Sequence, residues 1–205
     1  SSANNLPRGR TDASCMHNRN YVYISGSTPI PGWNEQCTID RLDFSNDTVA
    51  DFGLMPERKA GGMTVATSSY GYYCGGKFSY NAGTDPTFCV IDRLDFATEV
   101  TTSPTNLLTE RFGVGHEVFN SNYGYFGGGS PAVCTIDRID FSTETVDGPA
   151  VHGASLTQNR SNLAGVFNSN YGYFGGGSAT IDRIEFATET TSPASSLSQS
   201  RENLA

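Results

Sequence analysis

The sequence predicts an all-β fold, a β-propeller array of four-stranded antiparallel blades with four repeats visible plus part of a fifth. Three observations lead there. The thirteen residues VFNSNYGYFGGGS at 118–130 recur unchanged at 166–178, and looser copies of their centre stand at 21–26 (YVYISG) and 70–76 (YGYYCGG). A second segment follows each copy, opening at Ile39, Ile91, Ile136 and Ile181, so the repeats are spaced 52, 45 and 45 residues apart, the range expected of propeller blades. The composition agrees: 37% apolar residues and 23 glycines among 205 suit many short strands better than helices.

Each repeat divides into four β-compatible stretches, a to d. In the fourth copy they are predicted at 162–167, 171–175, 180–186 and near 189–197, with Asn168-Ser169-Asn170 making a tight turn between a and b. A further element, Leu with Arg four residues on, recurs at Leu6/Arg10, Leu54/Arg58, Leu107/Arg111, Leu156/Arg160 and Leu197/Arg201 and opens strand a of the following repeat. The whole chain, 1–205, is read as one repeat domain, with segments at about 1–54, 55–107, 108–156, 157–197 and a partial repeat at 198–205. Residues 1–14 align with 192–205, so a four-blade ring would offer two segments for one place, and simple closure is not expected. The chain is expected to be either a fragment of a longer propeller or an array whose open blade edges pair with other chains of the same assembly.

The Gly-Gly ending strand b, the acidic and aromatic strand c and the Arg opening strand a resemble the kelch repeat of β-propellers over essentially the whole chain. In wording the repeats are closer still to the YGYFGGG-type repeats of structural and tail-associated proteins of marine bacteriophages, especially cyanophages. Kelch repeats usually carry a Trp near strand d. Here the only Trp is Trp33, in a loop, and the first copy weakens Gly-Gly to Ser25-Gly26. The resemblance implies a binding or structural propeller in a virion or extracellular assembly.

The repeated charges are predicted to be architectural. In strand c, alternation puts Ile136, Arg138 and Asp140 on one face and Asp137, Ile139 and Phe141 on the other. Blades packed on both faces need such charges paired, which predicts an inter-blade series Arg41/Asp92, Arg93/Asp137 and Arg138/Asp182, or its reverse from Asp40/Arg93 towards Arg183. Catalytic carboxylates are unique to a site, whereas these recur in every repeat. Gly-Gly supplies positive φ and a close approach of backbones, and no phosphate-loop Lys-Ser/Thr follows it.

Cys37, Cys89 and Cys134 occupy one repeat position, where the fourth copy has Ala179. Cys74 lies close to Cys89 in the expected hairpin, within reach of a disulfide. No spacing suits a metal, and no cofactor is expected. The net charge of -8, with Lys59 and Lys77 the only lysines, lacks the basic footprint that nucleic acid or an anionic membrane requires.

Recognition is expected in the b–c loops, which vary while the scaffold does not. The first inserts Trp33 and Asn34, and the second Lys77, Phe78, Tyr80, Asn81 and Asp85. Aromatic rings beside amides and carboxylates suit a surface glycan or a host receptor, with Trp33 as a cap on the core edge or an inter-chain contact the competing reading. The sequence thus favours a non-enzymatic structural or adhesive module. A propeller-borne glycan oxidase or hydrolase and an intracellular adaptor for acidic peptides are the alternatives.

Overall fold

The computed structural model describes residues 5–7, 9–27, 37–78, 86–113 and 118–201. Sixteen strands are present among them, in four four-stranded antiparallel sheets. Blade 1 is β1 (Ser14–His17), β2 (Tyr21–Ser25), β3 (Thr38–Asp43) and β4 (Thr48–Leu54). Blade 2 is β5 (Met63–Ala66), β6 (Tyr70–Cys74), β7 (Val90–Asp95) and β8 (Thr101–Asn106). Blade 3 holds β9 (Tyr123–Gly127), β10 (Val133–Asp140) and an outer strand split into β11 (Val146–Asp147) and β12 (Ser155–Arg160) by one helical turn, Pro149–His152. Among the described residues its strand a contributes a bridge between Phe119 and Gly124. Blade 4 is β13 (Leu163–Phe167), β14 (Tyr171–Gly176), β15 (Ser178–Glu185) and β16 (Thr190–Arg201), matching the four stretches expected from the repeat.

One register runs through all four blades. The second Tyr of strand b stands opposite the Arg of strand c: Tyr23 with Arg41, Tyr72 with Arg93, Tyr125 with Arg138 and Tyr173 with Arg183. These pairs define one face of each blade, and the strand c Asp with the Phe that follows the strand defines the other. The Arg face of one blade packs on the Asp face of the next. Tyr23 stacks on Phe96, Tyr72 on Phe141 and Tyr125 on Phe186, with centroids 5.0, 5.5 and 5.4 Å apart. Such offset pairs add roughly 0.5–1.5 kcal/mol each beyond the area they bury.

The faces meet as the alternation predicts, but the charges pair differently. Arg41, Arg93 and Arg138 reach Glu99, Glu144 and Glu189 in the c–d turn of the following blade, at 2.6, 2.8 and 2.6 Å. The first Asp of each strand c is taken by the cation that enters from the preceding link. Arg10 holds Asp40 at 2.8 Å, Lys59 holds Asp92 at 2.7 Å, Arg111 holds Asp137 at 3.0 Å, and Arg160 holds Asp182. Neither Arg41/Asp92 nor Asp40/Arg93 forms, because the buried link cation already neutralises each Asp at its own end of the strand.

That link also explains a slip of register in the second repeat. Met55 is 3% exposed and Lys59 is buried, while Leu54 is 59% exposed, so the pair equivalent to Leu107/Arg111 is Met55/Lys59 rather than Leu54/Arg58. The buried Met replaces Leu, and Lys replaces Arg. A motif search keyed to Leu and Arg therefore lands one residue early.

Gly-Gly is needed where the link passes. Gly75 has φ +66°, and a Cβ there would stand 2.3 Å from the Arg111 carbonyl oxygen; Gly128 has φ +68° and would meet the Arg160 oxygen at 2.7 Å. The next glycine then donates to that same carbonyl, Gly76 N–H to Arg111 O at 3.0 Å and Gly129 N–H to Arg160 O at 3.1 Å. Each link residue is thus clamped by one blade through its backbone and plugged into the next through its side chain.

The five cysteines are free thiols. Strand register sets Cys74 opposite Ile91, two positions beyond Cys89, so the expected Cys74–Cys89 disulfide does not form. Burial pushes the Cys74 thiol well above its ordinary pKa. Among the described residues no helix is long and apolar enough to cross a membrane.

Candidate functional site: the axial mouth formed by the a–b turns

Strand a is the innermost strand of a blade, so the turn after it must border the axis. The Asn that opens the turn fixes its shape: the side-chain oxygens of Asn18, Asn120 and Asn168 each accept the backbone N–H groups two and three residues on, at 2.8–2.9 Å. Thr67 does the same with its hydroxyl in blade 2. These are Asx and ST turns, and they lock four similar hairpin tips at one end of the molecule.

The four tips surround a cavity of about 730 Å³, and every blade contributes three residues to it. Its chemistry is mixed. Phe119 and Phe167 lie with centroids 4.1 Å apart, and Phe167 is 41% exposed. His17 and Arg19 enter from blade 1, and Ser121 and Ser169 bring hydroxyls from blades 3 and 4. The cavity therefore offers an apolar ring surface beside hydroxyl, amide, imidazole and guanidinium groups. A second groove of about 400 Å³ on the same end separates blades 2 and 3, between Thr67 and Tyr70 on one side and Tyr123 and Ser142 on the other.

Sequence reasoning looked to the opposite end. Of the seven residues expected there, Trp33, Asn34, Tyr80, Asn81 and Asp85 lie outside the described residues. Lys77 bridges Ala60 and Thr87 through its backbone, and its Nζ stands 4.6 Å from the centre of the Phe112 ring. Phe78 donates its N–H to Pro86 at 3.0 Å. Loop variability points to the b–c loops, whereas the a–b mouth is defined by position alone. The available signal was Phe-Asn-Ser-Asn, repeated unchanged at 119–122 and 167–170 on the strand nearest the axis.

The strand c carboxylates are not part of the mouth. Asp137 is buried against Arg111, and burial raises its pKa against the lowering effect of that guanidinium. Arg111 in turn donates from Nη1 to the carbonyls of Gly128 and Thr135 at 3.0 and 3.2 Å, so its guanidinium is committed to the scaffold.

Fold and site together define a β-propeller of four blades with an axial mouth. No family model and no curated protein matches the sequence. Among solved structures, that of YjhT is similar over 96% of this chain and 69% of its own, with a TM-score of 0.73 and 12% identity. At that identity the likeness shows the fold alone. The part of the YjhT chain left uncovered is about as long as two repeats of this chain.

Proposed function

We propose that the chain is a non-enzymatic recognition platform of a virion or extracellular assembly, and that its axial mouth receives a glycan of the target surface. The observation that carries this reading is the Phe119/Phe167 pair set among turn amides and hydroxyls contributed by all four blades. A sugar ring has an apolar face and a rim of hydroxyls, and it fits an aromatic surface edged by such groups. The tying of Asp40, Asp92, Asp137 and Asp182 to structural cations supports a binding role over hydrolysis by paired carboxylates. The likeness of the repeats to phage tail-associated repeats supports the virion or extracellular setting. Recognition of acidic peptides by an adaptor finds less support, because Arg10, Arg111 and Arg160 are buried in ion pairs.

A glycan array followed by titration of the best hit tests this. The double variant Phe119→Ala and Phe167→Ala should weaken binding at least tenfold with the fold retained, while Trp33→Ala with Tyr80→Ala leaves it unchanged. The reverse pattern would move recognition to the b–c loops. No hit at all on glycans, with retention on a protein of the same assembly, would remove the glycan reading.

A further inference from the structure

The three internal junctions are copies of one another, and the two outermost faces of the molecule are the two halves of a fourth. Each junction joins a Tyr and an Arg of one blade to a Phe and a Glu of the next: Tyr23 and Arg41 to Phe96 and Glu99, Tyr72 and Arg93 to Phe141 and Glu144, Tyr125 and Arg138 to Phe186 and Glu189. Blade 4 carries the first half without a neighbour. Tyr173 and Ile181 are only half-buried there, whereas Tyr23, Tyr72 and Tyr125 and Ile39, Ile91 and Ile136 are buried. Arg183 is nonetheless in the working pose, its guanidinium 4.7 Å from the Tyr171 ring centre, as Arg41, Arg93 and Arg138 stand 4.6, 4.8 and 4.3 Å from Tyr21, Tyr70 and Tyr123.

Blade 1 carries the second half. Phe44 is 49% exposed, and Leu42, half-buried, replaces the buried Leu94, Ile139 and Ile184 of the other blades. Asp47 stands where Glu99, Glu144 and Glu189 stand and has the same left-handed backbone, φ 57° against 62°, 56° and 52°. The link cation repeats the pattern. Arg201 pairs with Ser178 across the sheet, the register in which Arg160 pairs with Val133, yet Arg201 is exposed while Arg160 is plugged into Asp182. Arg10 already occupies Asp40, so blade 1 of the same molecule cannot receive Arg201.

We infer that these faces are docking surfaces for further blades of the same repeat, closing the ring between blade 4 and blade 1. The incoming blade must offer Tyr173 an aromatic ring, Arg183 a carboxylate in its c–d turn, and Arg201 a strand c Asp. The blade seated on Phe44 must offer a Tyr and an Arg. This chemistry is that of the chain's own repeat. The YjhT chain exceeds the part covered by a length of roughly two repeats, which sets the number of blades to add in a test.

The test lengthens the full chain by two further copies of residues 161–201 placed directly after Arg201, which keeps the repeat in phase. The lengthened chain should be monomeric and melt higher than the 205-residue chain. Phe44→Ala and Arg183→Glu should each lower its Tm by about 2–4 °C or more while leaving that of the 205-residue chain unchanged. With a single copy added, Arg183→Glu should still lower the Tm and Phe44→Ala should not. The inference is overturned if neither extension raises the Tm, or if both substitutions act equally in the short and long chains. It is also overturned if the 205-residue chain forms an oligomer that survives both substitutions.

Discussion

Arg111 has 1% of its side chain exposed and ends on Asp137, the Thr109 and Thr135 hydroxyls and three carbonyls. Removing a buried partner leaves the other charge uncompensated, so Arg111→Ala should cost about 3–5 kcal/mol in urea denaturation. Arg201→Ala, at the same repeat position but exposed, should stay within about 0.5 kcal/mol. The turn aspartates respond to pH in a definite direction. Asp43, Asp95 and Asp140 accept hydrogen bonds from Ser45, from Ala97 and Thr98, and from Ser142, and their pKa values fall below the usual 3.8. Their folded-state pKa values lie below the unfolded one, so the stability they give is complete above pH 3.8 and is lost as pH falls through the lowered values. An acid titration of Tm should show Asp95→Asn flattening the slope in that window only. Burial raises the pKa of Tyr23, Tyr72, Tyr73 and Tyr125, so these four of the ten tyrosines should resist ionisation until alkaline unfolding, read by absorbance.

Among the elements, the corner between strands b and c bears most of the constraint. Gly128→Ala combines a strained φ with contact against the Arg160 carbonyl, whereas Gly153 has φ +80° and open space. Gly153→Ala should cost about 1 kcal/mol and Gly128→Ala clearly more, measured by chemical denaturation. The strand boundaries were legible because aromatic strand b, charged strand c and their turns repeat in register. The pairing of charges was not, since alternation assigns a side chain to a face but cannot say which end of the strand its partner enters. Lys59 shows the same limit: its role is that of Arg111, yet only burial reveals the alignment.

Over the whole molecule, repetition made the fold legible and position made the site legible only afterwards. Phe119 and Phe167 read as ordinary strand residues until the blades are set around an axis, where they converge at the mouth. The b–c loops attracted attention for their length, which a sequence displays directly. Convergence of four short, similar turns is a property of the ring and is displayed by no single repeat. The most direct test of the central claim is hydrogen exchange of the full chain with and without the best oligosaccharide hit from the array. New protection is expected at the four turns together, within 17–21, 66–70, 119–123 and 167–171. Protection confined to 28–36 and 79–85, with those turns unchanged, would contradict it.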